Sequence, residues 1–153
     1  MNSKTSMSGY DPKLWVWGAD SSKPRLLHSM VRVKDFDAAL RFYVDGLGMK
    51  VLDRFDVESR RSTGVFLGFG DYDTGGVLEL VHKWDHEGPY SHGSGYGHIA
   101  IGIPDMTTTM VRLESMGVQI TAQPKALIPG GPAVAFVKDP EGYEVELIQT
   151  RRS

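Results

Sequence analysis

Two stretches of this sequence can be aligned with each other, and this duplication narrows the choice of fold at once. The first copy begins at His28 and reads HSMVRVKDFDAALRFYVDGLGMKVL, and the second begins at His98 and reads HIAIGIPDMTTTMVRLESMGVQIT. An alternating apolar stretch follows each histidine, and an aspartate lies seven residues after it, at Asp35 and Asp105. A repeat of this kind indicates one structural unit that occurs twice and packs against its own copy.

Each copy continues with residues at helical spacing and then with three β-rich stretches. Apolar residues recur with a helical period from Phe36 to Leu47 and from Met106 to Met116. Gly48 and Gly117 follow, and a glycine just past the last periodic residue is a common helix end. The strand-like stretches are MKVLDRF, TGVFLGFG and GGVLELVHKW in the first copy, and VQITAQ, AVAFVKD and YEVELIQT in the second. We therefore predict an α+β protein of two tandem βαβββ modules.

The length of the chain indicates one compact domain. Its 153 residues suffice to bury a substantial core, and 41% apolar and 24% charged residues are ordinary values for a globular protein. Residues 1–24 are rich in Ser, Gly, Lys and Asp, so we expect them to form an N-terminal arm. Residues 25–153 then form a single domain, with modules at about 25–84 and 96–150.

Charge and composition exclude several kinds of partner. A formal net charge of -2 gives no basic field for nucleic acid, and no apolar run reaches membrane-spanning length. We therefore expect a small molecule or a protein as the partner. The start of the chain lacks the pattern of a signal peptide, so we expect a cytoplasmic protein. The chain has no cysteine, so any metal must be held by nitrogen and oxygen.

Charged residues occupy equivalent positions in the two copies. Glu79 lies 51 residues after His28 and Glu146 lies 48 after His98, and each glutamate is in the middle of an apolar strand. A duplicated unit could persist purely as a stable core. That explanation leaves the charges unexplained, because burying a carboxylate is costly unless it is paired or binds a metal.

Strand geometry predicts that these histidines and glutamates can bind one metal ion together. Side chains alternate between the faces of a strand, so Glu79 shares a face with Val77 and Val81, and His28 shares one with Arg32. If each module curls into half of a barrel, its histidine and glutamate converge, and two modules supply two of each. Such a nitrogen and oxygen set suits nickel, cobalt, iron, manganese or zinc, whereas calcium and magnesium prefer oxygen alone.

The segments RLLHSMVRV, FYVDGLGMKVL, VLELVHKW, YGHIAIGIPDM and AFVKDPEGYEVELI resemble the glyoxalase I, or lactoylglutathione lyase, family of the vicinal-oxygen-chelate superfamily. The resemblance covers about residues 25–150. It implies the glyoxalase/bleomycin-resistance/dioxygenase-like fold, with a half-barrel metal site. It also implies one divalent metal per site, with His28, Glu79, His98 and Glu146 as the ligands.

The activity implied by this resemblance is a metal-dependent isomerisation. Glutathione, the co-substrate, adds to methylglyoxal, and a lyase of this family converts the hemithioacetal to S-lactoylglutathione by proton transfer through an enediolate that the metal stabilises. Glu146 would be the principal base, and Glu79 would remain a ligand or act on the other face. Family members form homodimers, so each metal site would be shared between two chains.

Two further residues match or depart from the family pattern. Arg32 stands where the family has an arginine that contacts a glutathione carboxylate, a task that suits a planar guanidinium. Lys83 replaces a familiar asparagine; a lysine can meet a carboxylate but accepts no hydrogen bond. Both are predicted substrate-binding residues. The short stretch between Trp84 and Tyr96 is similar to that of the compact bacterial enzymes, which favours nickel or cobalt over zinc, manganese or iron.

Other members of the superfamily keep alternative functions open. The same scaffold supports extradiol dioxygenases, epimerases, thiol transferases and non-catalytic modules that bind small molecules. Dioxygenases and fosfomycin enzymes typically use two histidines and one glutamate, whereas this chain offers a second carboxylate at Glu79. We therefore place glyoxalase I first.

Several other features are predicted to be structural. His82, His86 and His92 are expected to be solvated, and the tetrapeptide from Asp139 to Gly142 is expected to form a hairpin turn.

Overall fold

The computed structural model describes residues 22–72 and 75–152. The first module consists of β1 (Ser29–Arg32), α1 (Phe36–Leu40), a π-helical turn (Arg41–Gly46), β2 (Lys50–Val57), a 3₁₀ turn (Glu58–Arg60), β3 (Ser62–Gly68) and β4 (Leu78–Lys83). The second module consists of β5 (Ile99–Ile103), α2 (Met106–Ser115), β6 (Gln119–Ala126), β7 (Ala133–Lys138) and β8 (Glu144–Gln149). The predicted α+β fold of two βαβββ modules is confirmed.

Each module forms one mixed four-stranded sheet. The strand orders are β1-β4-β3-β2 and β5-β8-β7-β6. The first strand of each module runs parallel to the last, and the other neighbours are antiparallel. In both sheets the first and last strands of the module are therefore adjacent, although some fifty residues separate them in the chain.

The repeated aspartates begin the two helices. Asp35 caps α1 by accepting a 3.1 Å hydrogen bond from the amide of Ala38, and Asp105 caps α2 by accepting a 2.9 Å bond from Thr108. At the other end, Gly48 and Gly117 have φ angles of +83° and +76°, which suit glycine best. The predicted helix ends are confirmed, and the aligned aspartates are N-caps.

The helical segments of the two modules differ by one residue. Gly48 lies thirteen residues after Asp35, whereas Gly117 lies twelve after Asp105. The first module absorbs the extra residue in its π-helical turn, where the amide of Leu47 donates to the carbonyl five residues back. The helical period predicts an ordinary helix here, because one added residue leaves the apolar spacing almost unchanged.

The two modules share a single hydrophobic core. It lies on the helical side of the sheets and combines residues of α1, the π-helical turn and α2 with residues of β3, β4, β7 and β8. The largest fully buried side chains in it are Tyr43, Leu67, Leu80, Leu113 and Leu147. Burial of these side chains drives the packing of one module against the other.

The turn between β7 and β8 reaches from the second module to the first. It is a hairpin turn as predicted, in which the amide of Gly142 donates to the carbonyl of Asp139 at 2.9 Å. One carboxylate oxygen of Glu141 accepts bonds from the amides of Lys34 and Asp35, at 2.7 and 3.1 Å. This turn therefore holds in place the segment that directly follows β1.

The predicted N-terminal arm, residues 1–24, lies almost wholly outside the described residues, which begin at Ser22. Within the described ranges, no helix has both the length and the apolar character that a membrane crossing requires.

Candidate metal centre and substrate site

The first module brings together a histidine and a glutamate at one end of its sheet. His28 directly precedes β1, and Glu79 is the second residue of β4, paired with Met30 of β1. Nε2 of His28 lies 2.9 Å from Oε2 of Glu79. The exposed fractions of the two side chains are only 26% and 15%, and the histidine ring is 5.2 Å from the ring of Phe66. Burial raises the pKa of Glu79, and the adjacent His28 partly offsets this.

The second module repeats this arrangement. His98 directly precedes β5, and Glu146 is in the middle of β8, paired with Ala100. Nε2 of His98 lies 3.0 Å from Oε2 of Glu146. The ring of Phe136, which is the cross-strand neighbour of Glu146, is 5.8 Å from the histidine ring. The sequence repeat thus corresponds to two similar His–Glu pairs in space.

These donor atoms are spaced as ligands of one ion would be. Two ligands about 2.1 Å from a cation and at right angles to each other lie about 3 Å apart, which matches both pairs. Imidazole nitrogen and carboxylate oxygen suit nickel, cobalt, iron, manganese and zinc. The residues of each pair therefore fit a divalent cation.

The two pairs do not come together within one chain. Among residues 22–72 and 75–152, no three His, Asp or Glu side chains are close enough to hold one metal ion. Each pair therefore offers two protein ligands, fewer than the three or four of common metal sites.

The strands beside the pairs are at the open edges of their sheets. Among residues 22–72 and 75–152, β1 and β5 each have one strand neighbour in their sheets. A cavity of about 600 Å³ lies between them and is lined by Met30 and Phe69 of the first module and by His98 and Ala100 of the second. Edge strands present unpaired backbone groups and are common sites of association.

Arg32 lies at the end of β1 and is exposed. It is on the same face of its strand as His28 and Met30, because side chains alternate. Its carbonyl accepts a 2.9 Å hydrogen bond from the hydroxyl of Tyr143, the residue directly before β8. The position of the Arg32 backbone thus depends on the second module.

Lys83 ends β4 on the same face as Glu79. Its ammonium group donates to the carbonyl of Arg60. The two residues line a cavity of about 430 Å³ together with Arg61, whose guanidinium pairs with Asp85. Three cations and one carboxylate give this cavity a positive balance. The sequence pattern did not single out Arg60, and a pair of adjacent arginines before a strand gives no signal of its own.

A small aromatic cluster lies beside the first His–Glu pair, apart from the main core. It consists of Phe55, Phe66 and Val77, with Tyr72 packed against them. Phe66 is the cross-strand neighbour of Glu79. Sequence reasoning missed this cluster, although an aromatic residue in the strand before the glutamate occurs in both copies, as Phe66 and Phe136.

The remaining histidines are less solvated than predicted. His82 is half-buried and accepts or donates a 3.2 Å hydrogen bond at the carbonyl of Val33. His86 stacks on Tyr90 at 3.8 Å, and His92 stacks on an aromatic ring of the β7–β8 turn at 4.0 Å. The prediction that these three side chains are solvated is wrong, because aromatic rings cover them: Phe36 and Tyr143, distant in sequence, lie against His82 and His92, and the nearby Tyr90 lies against His86.

Paired βαβββ modules, each with a His–Glu pair, define the class of protein. Residues 25–147 match the Glyoxalase/Bleomycin resistance protein/Dioxygenase superfamily, and the chain belongs to it.

Within that class, two relatives and one solved structure are similar to this chain over most of its length. A protein of Synechocystis sp. named probable lactoylglutathione lyase is 42% identical over 125 residues, which are 82% of this chain and 95% of that protein. A lactoylglutathione lyase of Neisseria meningitidis is 41% identical over 127 residues, 83% of this chain and 91% of that protein. The solved structure of the trypanothione-dependent glyoxalase I of Leishmania major superposes with a TM-score of 0.74 at 39% identity and covers 83% of this chain and 87% of that one.

Proposed function

We propose that this protein is a glyoxalase I, or lactoylglutathione lyase: a metal-dependent enzyme that converts the hemithioacetal of methylglyoxal and glutathione to S-lactoylglutathione. The observation that carries the proposal is the repeated pair, His28 with Glu79 and His98 with Glu146, on a fold whose relatives at about 40% identity bear that name. Those relatives favour this function over a dioxygenase, an epimerase, a thiol transferase or a non-catalytic binding module.

The reaction moves hydrogen within the substrate and consumes no other reactant. The carboxylate of Glu146 would take the proton from the carbon that bears sulfur and return it to the neighbouring carbon, while a hydroxyl proton passes between the two oxygens. One C–H bond breaks and another forms, so the product is an isomer of the hemithioacetal. Glu79 would remain a ligand or serve the other face of the substrate.

The residues that would hold the cation are His28, Glu79, His98 and Glu146. Once bound, a divalent cation supplies Lewis-acid stabilisation of the negative charge that develops on the substrate oxygens. Nickel or cobalt is the favoured metal because the stretch from Trp84 to Tyr96 is short, and zinc, manganese and iron suit the same donors.

A homodimer would complete the metal site. Each chain brings only two ligands together among its described residues, and both pairs lie beside open edge strands. A second copy could place His98 and Glu146 against His28 and Glu79 of the first. The same symmetry operation would create a second site of identical composition.

Arg32 and Lys83 would bind the carboxylates of glutathione. Both extend from the metal-facing side of their strands, and the positive cavity beside Lys83 supports a partner with negative charge. Because Lys83 already donates to a backbone carbonyl, it would act through its charge more than through a directed hydrogen bond.

The proposal also includes a cytoplasmic location and a single-domain organisation. Glutathione is the abundant thiol of the cytosol, which supports a cytoplasmic location. Residues 25–153 would act as one domain, because the core joins both modules, and residues 1–24 would form an arm. The partners would be small molecules and a second copy of the chain, with no role for nucleic acid or a membrane.

The decisive experiment is an activity assay on metal-free protein. The protein is stripped with a chelator, and nickel, cobalt, zinc, manganese or iron is added separately before methylglyoxal and glutathione. Metal-dependent growth of the ultraviolet absorbance of the thioester is the expected result, because the cation is needed to stabilise the negative charge that develops on the substrate oxygens. Stoichiometric metal binding without turnover would contradict the proposed function and indicate a different substrate.

A further inference from the structure

The backbone directly before His98 makes few contacts of its own. His98 precedes β5, and residues 93–97 read GSGYG. A Cβ atom added at Gly95 or Gly97 would meet no atom of the described residues within 4 Å, so neither position is closely packed. Glycine also leaves the backbone more conformational freedom than any other residue does. Residues 93–97 therefore need a further contact to hold the histidine in place.

Tyr96 supplies this contact. Its hydroxyl donates a 2.7 Å hydrogen bond to the carbonyl of Glu144, the first residue of β8. The centroid of its ring lies 5.0 Å from that of Tyr143, which directly precedes the same strand. Tyr96 therefore connects a point two residues before His98 to a point two residues before Glu146.

The first module has no counterpart of this contact. Leu26 occupies the position equivalent to Tyr96; it is 87% exposed, and its side chain has no hydrogen-bond donor. The exposed fraction of the His28 side chain is nevertheless only 26%, whereas that of the His98 side chain is 47%. The tyrosine thus accompanies the histidine whose side chain is less enclosed by the protein.

We infer that Tyr96 is a positioning residue that keeps His98 within reach of Glu146 and thereby strengthens cation binding by the second pair. The inference rests on the proposed function, because it takes the His–Glu pairs to hold a metal ion. A ligand that is already ordered loses less conformational freedom when the ion binds, so an anchored histidine binds more tightly. Tyr96 itself is not a ligand, and it acts through the backbone that carries His98.

The test measures the affinity of the metal-free full chain for cobalt, in competition with a chelator of known affinity. Tyr96→Phe removes only the hydroxyl and should raise the dissociation constant about tenfold, the usual effect of losing a group that orients a metal ligand. Tyr90→Phe is the matched control, because its buried hydroxyl has no hydrogen-bond partner among the described residues. It should keep the constant within about twofold of the wild type. Thermal melting of the metal-free forms detects any loss of stability, which by itself leaves the affinity of the folded protein unchanged.

A rescue variant tests whether Tyr96 acts by ordering residues 93–97. The φ angle of Gly97 is not in the left-handed region, so alanine fits there and restricts the backbone. In the Tyr96→Phe background, Gly97→Ala should recover about two- to fivefold of the lost affinity, whereas in the wild type it should change the affinity by less than about twofold.

Three results would overturn the inference and leave the proposed function standing. They are a cobalt affinity of Tyr96→Phe within about twofold of the wild type, an equal loss in Tyr90→Phe, and no recovery by Gly97→Ala. If the wild type bound none of the proposed metals, the proposed function and the inference would fall together.

Discussion

The hydroxyl of Tyr43 in the first module donates a 2.7 Å hydrogen bond to Oδ2 of Asp139 in the second module, and both side chains are buried. The other oxygen of Asp139 accepts bonds from the amides of Glu141 and Tyr143, each at 2.9 Å. The carboxylate thus organises the β7–β8 turn and joins it to the helical segment of the first module. This contact is the centre of the polar interface between the modules.

Replacing Tyr43 by phenylalanine should lower the free energy of unfolding by about 1–3 kcal/mol, because a buried carboxylate oxygen loses its partner. Urea unfolding followed by circular dichroism measures the change. Tyr90→Phe is the matched control: within the described residues its buried hydroxyl has no hydrogen-bond partner, so its loss should cost less than about 0.5 kcal/mol. Equal losses in the two variants would show that the Tyr43 hydroxyl contributes nothing specific.

The second prediction concerns the pH dependence of the free energy of unfolding. Burial raises the pKa of Asp139 above its ordinary value, although the hydrogen bonds from Tyr43 and the turn amides oppose this. The folded protein therefore holds the proton more tightly than the unfolded chain does. This contribution to stability is fully present below the pKa of an unfolded aspartate, and it is lost as pH rises through the folded value.

Asp139→Asn removes this titration. The stability of the wild type relative to that of the variant should fall as pH rises through the interval between the ordinary and the raised pKa of Asp139. Urea midpoints measured across the acidic range provide the comparison, since all other titrating groups are shared. A difference that is independent of pH would mean that Asp139 has the same pKa in the folded and unfolded states.

The third prediction separates the proposed base from its neighbour. Glu146→Gln should lower kcat by about 10²–10⁴-fold, because the amide has the shape of the carboxylate but cannot accept the proton. Glu144→Gln alters a carboxylate two residues earlier on the same face of β8 and should keep kcat within about threefold of the wild type. Turnover is measured at saturating metal, with thermal melting to check the fold. Near-normal turnover in Glu146→Gln would remove this residue from the base role.

Complementation tests the shared metal site. His28→Ala and His98→Ala should each be inactive, but mixing them after dissociation should restore about one quarter of wild-type activity, since half of the dimers are mixed and each holds one intact site. His28→Ala mixed with Glu79→Ala is the control, because both lesions affect the same pair and every site stays damaged. Activity in the control, or none in the first mixture, would rule out sites built from two chains.

The repeat allowed the sequence to predict the fold and the equivalence of the two His–Glu pairs. His28 and His98 are similar distances from Glu79 and Glu146 in the chain, and parallel pairing of first and last strands converts those distances into contacts. Alternation along β4 was enough to assign the face of Glu79. These features depend on local periodicity, which a sequence records directly.

Features that depend on packing between distant segments were not predictable. In the sequence, Tyr43 occupies an apolar position of the helical period, and Asp139 belongs to an ordinary turn sequence. Neither residue therefore indicates that the two side chains form a hydrogen bond. Gly64 was taken as part of a strand, and the sequence does not indicate that the Phe55 ring covers it. Cross-strand partners depend on register, which the sequence of one strand does not contain.

The polar interface between the modules has a consequence for protein engineering. A gene for either half alone would encode a module whose interface groups, Tyr43 in one and Asp139 in the other, face water without their partners, beside an uncovered core. The modules are consequently unsuitable as interchangeable building blocks for chimeras or split reporters. A functional recombinant would have to inherit the helical segment of one module and the β7–β8 turn of the other from the same parent.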